Sequence, residues 1–212
     1  MDLEIKNIVI FGYSGHSYVV LDAAINIGYN IKSYIDVSEN KLNPYELNYL
    51  GYEQNINLKT LKTNSEYVFP CFGSNSIRKK TILLFDELML KQINIIHSKS
   101  IISSDVEINL STFISAGAII NSMVKIGKGC IINTSAIIEH ECLIGNYTHI
   151  APGAVLSGNV KVGDETFIGA NAVIKQGVKI GSNVVIGAGS VVLKDVPSNE
   201  TWVGNPAKKM TK

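Results

Sequence analysis

Every sixth residue from Ile102 to Val192 is Ile, Leu or Val, sixteen positions without an exception. An α-helix would repeat its apolar face every 3.6 residues and a simple strand every two, so neither accounts for this spacing. A sustained period of six is the signature of a parallel β-helix, in which three short strands form one triangular coil of roughly eighteen residues. Sixteen hexads make about five coils, and stacking at roughly 4.8 Å gives a prism about 25 Å tall. A second series lies four residues after the first, from Val106 through Cys130, Cys142 and Ala154 to Val196. Its members are all small or β-branched, as a second inward-facing position in a narrow interior requires. Gly127, Gly145, Gly163, Gly169, Gly181 and Gly187 follow their anchors directly, where a chain that bends every six residues gains from a missing Cβ.

The chain has 212 residues, 46% hydrophobic and 17% charged, with a formal net charge of +1. That provides ample core for one large or two small domains and no field demanding a polyanion, so nucleic acid is not an expected partner. The opening MDLEIKNIVIFG lacks a cationic n-region followed by a continuous apolar run, and no apolar stretch is long enough to cross a bilayer. A cytoplasmic protein with no membrane insertion is expected. Three cysteines without a C-x-x-C pair fit reduced thiols. Cys130 and Cys142 fall in the small inward series and Cys71 in the apolar run EYVFPCFG, so all three are expected in cores.

The first hundred residues follow a different pattern. NIVIF (7–11) is a strand, Gly12-Tyr13-Ser14-Gly15-His16 a glycine-containing turn, and Val19, Val20, Ala23, Ala24 and Ile27 recur at helical spacing before Gly28. IKSYID then ends at Asp36. Strand, glycine turn, helix and a second strand ending in an acid form the opening βαβ unit of a Rossmann-like α/β sheet. A full G-x-G-x-x-G is missing, which disfavours an intact dinucleotide and leaves a nucleotide phosphate or sugar at the helix N-terminus. A polar, Asn-rich stretch (38–65) reads as irregular. YVFPCFG gives another strand, IRKKTILLFDELMLKQ a helix and INIIH a strand. The expected division is a Rossmann-like domain over 1–97 and a β-helix over 98–212.

Of four histidines, His97 ends a strand at the junction and reads as structural, while His16 sits in the glycine turn as a substrate contact or a helix cap. His140 and His149 occupy the third and sixth hexad positions, outside both inward series. They are therefore not core histidines of the prism. Either they are solvated, or His140 is a base with Glu141 as its orienting carboxylate. Glu139 has no assigned role and reads as solvated. Hexapeptide-repeat carbonic anhydrases bind metal through three histidines, but here the prism supplies two, so no metal is expected.

These stretches together resemble a known family. GxSGH (12–16), Asp36, GSNSIRKK (73–80), NTSAIIEHECLIG (133–145), His149, SGNVKVG (157–163) and VGNPAKKM (203–210) are similar to the nucleotide-sugar acetyltransferases that join a Rossmann-like domain to a left-handed β-helix. The similarity is greatest to the UDP-4-amino-sugar N-acetyltransferases of bacillosamine-type pathways. The handedness comes from that resemblance. It implies His140 as general base and Glu141 as the carboxylate that raises its basicity. Ser14, Gly15, His16 and Asp36, with Gly73, Asn75 and Arg78, would hold a UDP- or dTDP-linked amino-sugar. His149, Gly158, Ala170 and Ala188 would line the acetyl-CoA path, with Lys208 or Lys209 at the coenzyme phosphates. It also implies a homotrimer with acetyl-CoA between neighbouring prisms, and a product destined for a bacterial surface glycan. Val37 stands where the family often has a second acid, and Tyr13 and Ser17 where smaller residues are usual.

The implied chemistry is acetyl transfer to the sugar 4-amino group. A neutral imidazole near pH 7 suits the removal of a proton from the attacking nitrogen. Two rivals remain at this level: O-acetylation of a free sugar, as in the sialic acid O-acetyltransferases that share the domain plan, and a non-catalytic sugar-nucleotide-binding protein.

Overall fold

The computed structural model describes residues 6–63 and 66–211. β1 (Asn7–Phe11), β2 (Asn30–Ile35), β3 (Asn48–Tyr49), β4 (Tyr67–Pro70) and β5 (Lys91–Gln92) form one parallel sheet ordered β3-β2-β1-β4-β5. β1 is apolar and buried from Ile8 to Phe11 because both its faces are covered, as parallel sheets require. Its Ile8 and Ile10 pack with Val20, Leu21 and Ala24 of α1 (Gly15–Asn26), whereas Val9 and Phe11 pack with Ile82 and Phe85 of α3 (Asn75–Glu87). α1 ends at Asn26, and Gly28, with a φ of 83°, releases the chain into β2. Tyr13 fits the glycine turn because its hydroxyl donates to Asn43 Oδ1 at 2.8 Å inside the core.

Three expectations change here. α3 stops at Glu87 rather than running to Gln92, because Met89 takes a left-handed φ of 50° and Lys91–Gln92 pairs with β4 instead. The stretch 38–65 contains β3 and the one-turn α2 (Thr60–Thr63) among its turns; its last two residues lie outside the described residues. β6 (Ile95–Ile96) belongs to the prism, not to the first sheet, since it pairs with Phe113–Ile114. The β-helix therefore begins ahead of residue 98. Ile96 extends the six-residue series one step upstream, a signal present in the sequence.

From there the chain winds as two-residue parallel strands into sheets of six, five and eight strands, the last including the C-terminal tail. Rung partners are separated by one coil, as in Ile120↔Ile138↔Leu156. The aliphatic anchors and the small series fill the interior together. One column of the small series also satisfies backbone carbonyls: Thr112, Cys130, Thr148 and Thr166 donate to Gly127, Gly145, Gly163 and Gly181 at 3.1, 3.0, 3.1 and 2.7 Å. Cys130 thus occupies a threonine-like position, and all three cysteines are buried. At the lower end Trp202 and Ala207 close the core, and Lys208–Lys209 folds back antiparallel over the strand Thr201–Val203, which covers the sheet edge.

The glycines that follow the anchors serve coil-to-coil approach, not bending. Gly127, Gly145, Gly163 and Gly181 lack positive φ, but a Cβ on any of them would lie 2.4–2.7 Å from atoms of the next coil. The bends occur elsewhere, at every sixth residue from Ser111 to Gly189, where φ is positive whether or not the residue is glycine. Gly163→Ala should therefore destabilise the protein by about 1–3 kcal/mol through overpacking against Gly181 and Ser182. Denaturant unfolding measures this; an unchanged midpoint would mean that the coils can separate locally at little cost.

Candidate active site

Two groups of candidate side chains form, one on the prism and one where the first domain meets it. The first lies on the edge that follows the strand Ile137–Ile138. Glu141 takes a left-handed φ of 62°, one of the regular bends, and its Oε2 lies 3.0 Å from His140 Nδ1. A carboxylate can only accept, so the proton sits on Nδ1 and the Nε2 lone pair is free. Both side chains are about half exposed, at 54% and 52%, so a substrate can reach them. Gly158 lies one coil further on, and a Cβ there would fall 2.5 Å from His140 Cε1. The imidazole occupies the space that this glycine leaves. Glu139, expected to be solvated, instead accepts from Asn121 Nδ2 at 2.9 Å one coil before it.

The second group lies at the seam between the domains. At the carboxyl ends of β1 and β4, where the strand order reverses, Gly12–His16 and Phe72–Ser74 form the crevice in which α/β sheets bind ligands. Ser14 is the N-cap of α1, yet its hydroxyl makes no capping bond and stays exposed. Asp36 closes the crevice: Oδ2 accepts from Tyr13 N and Oδ1 from Val37 N, both at 2.8 Å. Beside Asp36 a groove of about 970 Å³ opens along α3, lined by Tyr52, Phe72, Ile77, Lys79 and Glu165 among others. His16 does not cap the helix; its ring meets Phe113 at 5.6 Å and His149 at 6.4 Å.

His149 points outward from its strand, as the register predicts, but it is only 8% exposed because the first domain covers it. The expectation of an accessible position is corrected by that packing. Burial first, then the Arg78 charge, lowers His149 to about 3 and His16 to about 4.

Arg78 and Asn75 are corrected as well. Arg78 is 1% exposed, and all five of its N–H donors are taken. Nε donates to Gly129 O, Nη1 to Phe72 O and Gly73 O, and Nη2 to Asn75 Oδ1 and Tyr147 O. Asn75 Nδ2 in turn donates to the carbonyls of Glu165 and Thr166. These residues staple the two domains and have no donor left for a substrate. Gly129 completes the joint: a Cβ there would strike Ile82 of α3 at 2.4 Å. The pattern of a buried Arg bonded mainly to carbonyls is invisible in a one-dimensional sequence, since its acceptors lie up to 69 residues away.

Of the expected coenzyme contacts, Ala170 and Ala188 stack on successive coils, with Gly189 N donating to Ala170 O at 2.8 Å. They share an edge with Thr134 and Pro152, a different edge from that of His140 and Gly158. Lys209 is paired with Glu200 at 2.6 Å, while Lys208 is exposed and has no ion pair among the described residues. No group of three His, Cys, Asp or Glu side chains comes together to hold a metal among the described residues. No helix there is long and apolar enough to cross a membrane.

The two buried imidazoles set an acid limit on stability. An unfolded chain protonates both near pH 6.5, but the folded chain resists until about 4 and 3. Stability is thus complete above pH 6.5 and falls as the pH drops, by about 1.4 kcal/mol per pH unit for each proton. Denaturant unfolding between about pH 7 and pH 4.5 should show this loss, and His149→Asn should reduce the slope by one proton. A slope that does not change in the variant would place the acid sensitivity elsewhere.

The family model described as the PglD N-terminal domain matches residues 7–83, and that of the bacterial transferase hexapeptide (six repeats) matches residues 123–158 and 159–194. No curated protein matches the chain. Among solved structures, PerB from Caulobacter crescentus in complex with CoA and GDP-perosamine is 30% identical, with each chain covered over 100% and a TM-score of 0.91. Mutants of this perosamine N-acetyltransferase are 28% identical over 100% of each chain, with a TM-score of 0.92. The acetyltransferase domain of PglB from Neisseria gonorrhoeae, in complex with acetyl coenzyme A, is 29% identical over 98% of this chain and 100% of that one, with a TM-score of 0.89. With its sheet, seam and prism spanned end to end by such relatives, the chain belongs to the acetyl-CoA-dependent nucleotide-sugar N-acetyltransferases of the hexapeptide-repeat type.

Proposed function

We propose that this protein transfers the acetyl group of acetyl-CoA directly to the 4-amino group of a nucleotide-linked amino-deoxysugar, with His140 as general base. The observation that carries this reading is the His140–Glu141 pair, a half-exposed imidazole whose Nδ1 faces a carboxylate that can only accept its proton. The neutral amine attacks the thioester carbonyl, and the nitrogen loses its proton to Nε2. The C–S bond then breaks, and the thiolate of CoA takes up a proton as it leaves. Direct transfer agrees with the cysteines, which are buried and whose thiols burial pushes up, to about 12 for Cys130 and about 11 for Cys142. None is available as an acyl carrier.

The two edges of the prism argue for a shared site. His140 and Gly158 lie on one edge, Ala170 and Ala188 on another, and between them runs a face whose outward column is Ile101, Ile119, Ile137, Val155, Val173 and Val191. A trimer packed through this aliphatic face brings the His140 edge of one copy to the Ala170 edge of the next, with acetyl-CoA between them. Ser14, Gly15, His16, Asp36 and Gly73 then surround the sugar nucleotide at the crevice. UDP and dTDP are the expected carriers; GDP joins them because PerB, 30% identical, is seen with GDP-perosamine.

Thiol release with purified protein across UDP-, dTDP- and GDP-linked amino-sugars is the direct test. His140→Ala should lower the rate by about 10²- to 10⁴-fold with the fold intact. Turnover independent of His140, or activity on free sugar hydroxyls alone, would remove this reading. Gly158→Ala should push the imidazole from its place and cost up to about 10²-fold in kcat, while thermal stability changes little because only a side chain must move. Unchanged kcat in this variant would show that the ring position seen here is not the working one.

A further inference from the structure

Asn133 carries information about His149 that fixes which ring nitrogen holds the proton. Asn133 Oδ1 accepts the Thr134 backbone N–H at 2.8 Å, which sets the orientation of the amide. The atom that faces His149 Nε2, at 3.1 Å, is therefore the NH₂ group of Asn133. An NH₂ group only donates, so Nε2 must present its lone pair, and the neutral ring carries its proton on Nδ1.

The other side of the ring enforces the same state. Nδ1 is buried against the Gly73 carbonyl without a hydrogen bond of normal geometry, and that carbonyl is already held by Arg78 Nη1 at 3.2 Å. A second proton would sit on Nε2 against the Asn133 NH₂ group and would make the ring a cation beside the Arg78 guanidinium and the His16 ring. None of the ion pairs among the described residues places a carboxylate on Arg78 or on this ring. The ring is thus bracketed by a donor at Nε2 and a fixed cation beyond Nδ1.

We infer that Asn133 is a positioning residue that holds His149 as a non-titrating, neutral Nδ1–H imidazole with its Nε2 lone pair directed to Asn133. Asn133 and Thr134 stand on the edge that continues through Pro152 and Ala170 to Ala188. There the Asn133–His149 pair keeps a constant charge, and proton transfer is left to His140. This role rests on the acetyl-transfer reading only where it concerns rate; the tautomer itself does not depend on it.

Nitrogen NMR of the full-length protein labelled with ¹⁵N-histidine tests it. In the wild type, His149 should show an unprotonated Nε2 and a protonated Nδ1, unmoved between about pH 5 and pH 8. Asn133→Asp replaces the donor by an acceptor, so the proton should move to Nε2 and the ring should titrate within that window. Its acetyl-transfer rate should fall by up to about 10²-fold and its pH–rate profile should gain a second ionisation. Asn133→Ala removes the donor alone and should leave a mixture of tautomers in a folded protein. A protonated Nε2 in the wild type, titration of its His149 near pH 6–7, or an unchanged tautomer in Asn133→Asp would each overturn the inference. The expected spectra in a protein that acetylates no nucleotide-sugar would sustain the tautomer assignment and remove the proposed function instead.

Discussion

Parallel pairing of each coil with the next, through amides such as Ile137 N to Ala154 O and Val155 N to Ala172 O, makes residues eighteen apart in sequence direct neighbours in space. A single ladder of this kind tolerates no change of register, because a slip of one residue would turn every aliphatic anchor outward. The consequences reach beyond the core. Gly163 must be small because Gly181 lies under it, Glu139 finds Asn121 above it, and His140 lies over Gly158 for the same reason. The position of the proposed base is therefore set by backbone hydrogen bonds that run the length of the prism, not by local loop structure.

The first domain joins this ladder in part through one buried cation. Arg78 is charged at neutral pH, although burial lowers it to about 10, and its charge is dispersed over carbonyl dipoles from both domains and one side-chain amide. Such an arrangement compensates desolvation without a carboxylate, since each donor meets an acceptor. It also reaches into chemistry: the same guanidinium loads the Gly73 carbonyl and disfavours protonation of both His16 and His149. Domain attachment and the charge state of the crevice are thus linked, burial acting first on both imidazoles and the guanidinium second.

The period of six and the opening βαβ unit were legible because each repeats a local rule: an anchor that must point inward, or a strand that must end in a turn. Elements that end through competition were not. α3 has a helical pattern up to Gln92, yet β4 offers an edge that Lys91–Gln92 completes, and Met89 absorbs the bend. The sites divide the same way. His140 and Glu141 are adjacent in sequence, so their pairing could be expected from spacing, whereas Arg78 and Asn75 owe their roles to carbonyls in the other domain. The family resemblance implied ligand contacts for both; only the three-dimensional partners reveal that their side-chain donors are spent. His149 was placed on the correct face by register, but the domain that covers that face lies outside the repeat.

The contrast between the two prism histidines bears on how the proposed base and a fixed polar contact are kept apart. Both carry the proton on Nδ1, so the tautomer alone does not distinguish them. The partner does. Glu141 offers His140 a negative charge at Nδ1, which stabilises the imidazolium that forms when Nε2 takes a proton. His149 has a carbonyl already held by a guanidinium at Nδ1 and an amide donor at Nε2, so the same event there would bring two cations together in a buried seam. Exposure works in the same direction, at 54% for the His140 side chain against 8% for His149. A ring open to solvent beside a carboxylate can cycle through its charged form, whereas one enclosed beside an arginine cannot. In the proposed mechanism acid–base chemistry is therefore confined to the edge at His140, and the seam does not compete for the substrate's proton.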